Sequence, residues 1–115
     1  MSGEKVIIVE GSSDRKKIQH VINEPVKIVC TNGTIGLSKL DELADLFEDE
    51  DVYVLVDADD SGDKLRKQLK RALPHAYHIY VDRAYREVAN CPLHHIVTVL
   101  LTANIDVHSE YLEQK

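Results

Sequence analysis

Short, uninterrupted apolar runs alternate along this chain with longer stretches in which apolar residues recur at helical spacing. Val6-Ile7-Ile8-Val9 predicts a buried strand, and Gly11-Ser12-Ser13 turns it into a helix on which Ile18, Val21 and Ile22 share a face. Val26-Lys27-Ile28-Val29-Cys30 predicts a second strand, followed by the tight loop Thr31-Asn32-Gly33-Thr34-Ile35-Gly36. Ser38 and Asp41 have the spacing of a capping box, opening a helix with Leu40, Leu43, Ala44 and Phe47 inward, which the acidic Glu48-Asp49-Glu50-Asp51 ends. Val52-Tyr53-Val54-Leu55-Val56 is the third strand. A helix beginning near Gly62 carries the stripe Leu65, Leu69, Ala72 and Leu73 and stops at Pro74. A fourth strand is expected over residues 76–81, a loop over 82–87, a helix from Pro92 through Leu101, and a last turn at Tyr111-Leu112.

Strands alternating with helices build βαβ units, so the expected fold is α/β, a mainly parallel four-stranded sheet with helices on both faces and right-handed crossovers. In such sheets the ligand site lies beyond the carboxyl ends of the strands, where strand order reverses. Glu10, the Asn32-Gly33 loop and Asp57-Ala58-Asp59-Asp60-Ser61 all fall at such ends. With an order 2-1-3-4, Glu10 and the aspartates converge on one crevice.

The aspartate loop puts three carboxylates at the mouth of a buried strand, where charge is costly unless a cation or a donor answers it. Asp57 and Asp59 suit Mg²⁺, with Mn²⁺ as an alternative, because Mg²⁺ is held by one or two carboxylates together with substrate phosphates. Asp60 is either a further ligand or a cap of the following helix. Glu10, at the end of an apolar strand, has a carboxyl of raised proton affinity, suited to metal ligation or proton transfer. Asp14 reads as first-turn helix chemistry. Lys64, Arg66 and Lys67, with Lys70 and Arg71 beyond them, form a basic helix face beside the aspartates that is either a phosphate-binding surface or a solvated side. Arg83, Arg86 and Glu87 approach the crevice from its other side. The adjacent His94 and His95 point to different sides of a helix and make no two-ligand face.

A formal net charge of −6 argues against nonspecific wrapping of nucleic acid but leaves room for a local basic face. The two cysteines, Cys30 and Cys91, have neither a disulfide-framework nor a zinc spacing and are expected as reduced thiols. No run is long enough to span a bilayer, and Met1-Ser2-Gly3-Glu4-Lys5 lacks a signal-peptide core, so no membrane association and a cytoplasmic location are expected. At 115 residues the chain is read as one domain.

Val6-Ile7-Ile8-Val9-Glu10-Gly11-Ser12-Ser13-Asp14, then Thr31-Asn32-Gly33, then Val54-Leu55-Val56-Asp57-Ala58-Asp59-Asp60-Ser61-Gly62 together resemble the Toprim domain of bacterial primases, topoisomerases, OLD-type nucleases and RNA-maturing ribonucleases. The likeness covers about residues 4–88, leaving 89–115 as a helical extension. It implies a three-layer α/β/α, Rossmann-like Toprim fold. It further implies that Glu10 acts as general acid/base or assists the metal, and that Asp57 and Asp59 coordinate Mg²⁺ during phosphodiester chemistry. Type II topoisomerases show a third alternating aspartate where this chain carries Ser61. The expected function is Mg²⁺-dependent action on RNA or DNA, foremost hydrolysis. The alternative is a catalytically weak nucleic-acid or protein binding module that depends on partner proteins. A receiver-like phosphoacceptor fits less well, because Glu10 stands alone after the first strand and no lysine follows a fifth.

Overall fold

The computed structural model describes residues 4–112. Within them run β1 (Lys5–Val9), α1 (Ser12–Val21), β2 (Val26–Cys30), α2 (Leu37–Phe47), β3 (Asp51–Leu55), α3 (Asp60–Ala72), β4 (Tyr77–Ile79) and α4 (Leu93–Thr102). Single 3₁₀ turns lie at Val88–Asn90 and Ser109–Tyr111. The expectations for residues 1–3 and 113–115 lie outside the described residues.

All four strands are parallel and ordered β2-β1-β3-β4, with Ile7 opposite both Ile28 and Tyr53, and Leu55 opposite Ile79. The chain steps outward from β1 to β2, then returns across β1 to reach β3. Because parallel crossovers are right-handed, this reversal sends α1 to one face of the sheet and α2 and α3 to the other. The strand pleat matches that division. Ile7, Val9 and Leu55 pack with Ile18 and Val21 of α1 and Ile96 and Leu100 of α4. Val6, Ile8, Val52, Val54 and Val56 pack with Leu40 and Leu43 of α2 and Leu65 and Leu69 of α3. The result is the three-layer α/β/α fold, with its switch point between the carboxyl ends of β1 and β3.

Three local expectations change. Leu37 already lies within α2 and Gly36 is its N-cap, so Ser38 and Asp41 form no capping box. The loop ahead of α2 is held from α3, where Gln68 accepts from the Ile35 N–H at 3.2 Å and donates to its carbonyl at 2.6 Å. The fourth strand is three residues long rather than six. Beyond it the Arg66 guanidinium takes the carbonyls of Val56 and Ile79 at 3.4 and 2.6 Å, filling the place where the two strands part. Finally, α3 starts at Asp60 and its cap is Asp59, whose Oδ1 accepts from the Gly62 N–H at 2.8 Å.

Candidate metal centre

Glu10 follows β1, Asp57 lies just past β3, and Asp59 caps α3, so three elements deliver three carboxylates to the switch point. One ligand oxygen from each lies within 4.8 Å of those of the other two. Each carboxylate is also fixed by a backbone donor. Asp57 N–H donates to Glu10 Oε1 at 3.0 Å, Val88 N–H to Asp57 Oδ1 at 2.8 Å, and Gly62 N–H to Asp59 Oδ1 at 2.8 Å. Among the described residues, the second oxygen of each accepts no hydrogen bond. Three hard oxygen donors, each anchored through one oxygen and free at the other, fit a divalent cation of the Mg²⁺ or Mn²⁺ type.

The electrostatics without a cation are unfavourable. Burial raises the proton affinity of Glu10 above the usual carboxylate range, and the charges of Asp57, Asp59 and Asp14 add to it against the opposing Asp57 hydrogen bond. Asp57 is raised likewise, chiefly by burial and then by Asp14, Asp59 and Glu87, against the Val88 bond. Asp14 is only 6% exposed and accepts from Gly11 N–H at 3.2 Å, the helix-start role expected of it, and burial raises it too.

These directions set a pH dependence. A carboxyl that holds its proton more tightly in the folded than in the unfolded state contributes stability at low pH, and loses it as pH rises through the raised folded value. The cation-free protein is therefore expected to lose the stability these three groups contribute when protonated as pH rises from about 4, the ordinary carboxylate value, through their raised folded values. Asp57→Asn keeps an oxygen for the Val88 N–H, and is expected to raise the neutral-pH melting temperature in EDTA and to flatten this dependence. Thermal melts of both proteins across that range check it; an Asp57→Asn protein that melts lower at neutral pH contradicts it.

Asn32 and Gly33 bring the second strand end to the same place. Both have left-handed backbone, at φ 59° and 103°, and Asn32 N–H donates to the Glu10 carbonyl at 2.7 Å. Asp60 stands apart. It is an exposed first-turn residue of α3, outside the three-carboxylate group, and the capping expected of it is done by Asp59.

The basic residues divide. Lys64 and Lys67 are exposed on α3, as a phosphate-binding face requires. Arg66 is 4% exposed and turned inward: besides the two carbonyls it meets His78 Nδ1 at 3.1 Å and lies 4.0 Å from the Tyr80 ring centre. It is thus a structural residue and not part of the basic face. Burial, then Arg66 and Lys70, lower the His78 pKa to about 4, so its ring is neutral at physiological pH. Arg83 and Arg86 do reach the crevice. With Ala58, Asp59, Asp60 and Ser61 they line an open cleft of about 490 Å³ directly beside the carboxylates.

Several supporting residues escaped the sequence reading. Val88 supplies a backbone donor to Asp57 from 31 positions away. Its turn is held by Lys17, whose ammonium donates to the carbonyls of Val88 at 3.2 Å, Ala89 at 2.8 Å and Cys91. The Arg86 carbonyl accepts from Ala58 N–H at 2.6 Å, tying the 82–87 loop to the aspartate loop. Gly62 packs its backbone directly on Asp57. Of these, only the glycine in the first turn after the aspartates carried a readable signal.

A doubly wound parallel sheet with a glutamate and a D-x-D pair gathered at its switch point defines a class of α/β domain built around an acidic centre. The Toprim domain model matches residues 5–84, and the chain belongs to the Toprim domain family. It is 62% identical over 112 residues to the uncharacterized protein YusF of Bacillus subtilis, covering 97% of this chain and 77% of that protein. It is 34% identical over 83 residues to ribonuclease M5 1 of Ligilactobacillus salivarius, covering 72% of this chain but 44% of the ribonuclease. The chain therefore spans less than half the length of that ribonuclease. A solved small TOPRIM domain protein from Bacillus stearothermophilus superposes with a TM-score of 0.92 at 56% identity, covering 100% of this chain and 98% of that one. Among the described residues no helix is long and apolar enough to cross a membrane.

Proposed function

We propose that this protein hydrolyses phosphodiester bonds in RNA or DNA in a reaction dependent on Mg²⁺, with Mn²⁺ able to replace it. The observation that carries this reading is the arrangement of Glu10, Asp57 and Asp59, each held by one backbone hydrogen bond and each offering a ligand oxygen within 4.8 Å of those of the other two. A divalent cation bound there would supply Lewis-acid polarisation of a phosphate oxygen. Asp57 and Asp59 would hold it. Glu10, with its raised proton affinity, takes a proton from the attacking water as the new P–O bond forms, and the proton returns to the departing oxygen as the old one breaks. The similarity to ribonuclease M5 favours RNA as the substrate.

The test is incubation with mixed pools of structured RNA and DNA oligonucleotides in Mg²⁺, in Mn²⁺ and in EDTA, with Glu10→Gln alongside the wild type. Cleavage that needs the metal and falls with Glu10→Gln supports the proposal. Binding of the pools without cleavage would identify a binding module, and cleavage undiminished in EDTA would overturn the metal-dependent mechanism.

A further inference from the structure

The cleft beside the carboxylates has two walls of opposite character. One is the start of α3, with Asp59, Asp60 and Ser61; the other is the 82–87 loop, with Arg83 and Arg86. At the first wall, Gly62 N–H is taken by Asp59 Oδ1, whereas the N–H groups of Asp60 and Ser61, as the first two of the helix, have no intrahelical acceptor. At the second, Arg83 is held loosely, 3.6 Å from Asp63. Among the described residues Arg86 makes no ion pair, although it lines the cleft together with Asp59 and Asp60. Its backbone is left-handed, at φ 62°, and is held so by the Ala58 N–H bond to its carbonyl and by its own N–H bond to the Arg83 carbonyl at 3.2 Å. A guanidinium that lines the cleft without pairing to either carboxylate there is available to a bound anion.

We infer that Arg83 and Arg86, facing the free N–H groups of Asp60 and Ser61 across this cleft, form the subsite that grips a backbone phosphate of the nucleic acid beside the metal centre. This deepens the proposed function and rests on it for the neighbouring chemistry. The donor set matches a phosphodiester: planar guanidinium forks pair with two phosphate oxygens at once, and helix-start N–H groups favour anions. The subsite also gives the local basic surface that an acidic chain needs in order to hold a polyanion, and places it on the loop that is tied to Ala58 between the two metal-binding aspartates. Lys64 and Lys67, single charges on the outer side of α3, then add general attraction and no fixed register.

The experiment measures two quantities on the full chain: polarisation of a fluorescein-labelled 15-nucleotide single-stranded RNA in Ca²⁺, which fills an oxygen-ligand site without supporting cleavage, and Mn²⁺ affinity without RNA by electron paramagnetic resonance. The variants are Arg86→Asn, which suits the left-handed backbone, Arg83→Gln, their double, and Lys64→Gln/Lys67→Gln. The double arginine variant is expected to bind RNA about ten- to a hundredfold more weakly, with Mn²⁺ affinity within about twofold of wild type. Lys64→Gln/Lys67→Gln is expected to lose less, and mainly at low salt. RNA affinity unchanged in the double arginine variant, no RNA binding by the wild type, or loss of Mn²⁺ affinity with the arginines would each overturn the subsite. Binding is read without turnover, so an inactive wild type whose binding still depends on the arginines would sink the hydrolysis reading and leave the subsite standing.

Discussion

Glu10→Gln is expected to lower the rate of metal-dependent cleavage by about 10²- to 10⁴-fold at saturating Mg²⁺, the range supplied by a positioned acid or base. The substitution is nearly isosteric, and the glutamine carbonyl oxygen can still accept the Asp57 N–H that Glu10 Oε1 accepts at 3.0 Å. The aspartate loop therefore keeps its place, and the loss reports chemistry rather than collapse. Removing one charge from a cluster whose members raise one another's proton affinity also relieves repulsion, so the cation-free variant is expected to melt at or above the wild-type temperature. Asp57 and Asp59 remain, so the metal dependence is weakened but not abolished. Initial rates against Mg²⁺ concentration, together with melting curves in EDTA, check all of this; a variant that cleaves within about fivefold of wild type would remove Glu10 from the mechanism.

Gly62→Ala is expected to be the most damaging small substitution in the molecule. A Cβ at this position would stand 1.9 Å from the Asp57 carbonyl oxygen and 2.9 Å from its carbonyl carbon, both backbone atoms. Restoring even the 3.4 Å of ordinary contact requires the start of α3 and the aspartate loop to part by about 1.5 Å. That movement pulls Gly62 N–H away from Asp59 Oδ1 and carries Asp59 out of the group whose oxygens converge within 4.8 Å. Overpacking of this kind costs about 1–3 kcal/mol or more, which lowers the melting temperature of a domain this size by on the order of 10 °C. Metal-dependent activity is expected to fall about a hundredfold even below that temperature, because misplacement of about an ångström suffices for such a loss. Gly36→Ala is the control, since nothing lies within 4 Å of its Cβ position and φ is −79°; it is expected to cost under about 1 kcal/mol. Equal effects of the two alanines would show that the close approach at Gly62 is not what holds the site.

The strands and the acidic residues at their carboxyl ends were readable because they depend on local signals. Four apolar runs marked the strands, and the residues that ended two of them, Glu10 and Asp57, were acidic where the pattern demanded burial. Parallel strands with right-handed crossovers then left few arrangements that bring those ends together. What the sequence hid depends on contacts distant along the chain or on one residue performing two tasks. Asp59 and Asp60 are both acceptable helix caps by composition; the backbone path from β3 chooses Asp59, which caps α3 and also belongs to the carboxylate group. Arg66 sits next to Leu65 on the border of the buried stripe, and its charge reads as solvated. Only the parting of β3 and β4 creates the buried carbonyls that draw it inward. The Val88 donor and the Lys17 tether belong to a loop and a helix more than 70 positions apart, and nothing in either segment announces the other.

Whether Asp57 and Asp59, with Glu10 beside them, hold a divalent cation is tested directly by titration of the full chain with Mn²⁺, followed by electron paramagnetic resonance. The wild type is expected to take up Mn²⁺ saturably, in competition with Mg²⁺, while Asp57→Asn/Asp59→Asn keeps its fold and loses that uptake. Equal Mn²⁺ uptake by the two folded proteins would contradict the metal centre and the hydrolytic function built on it.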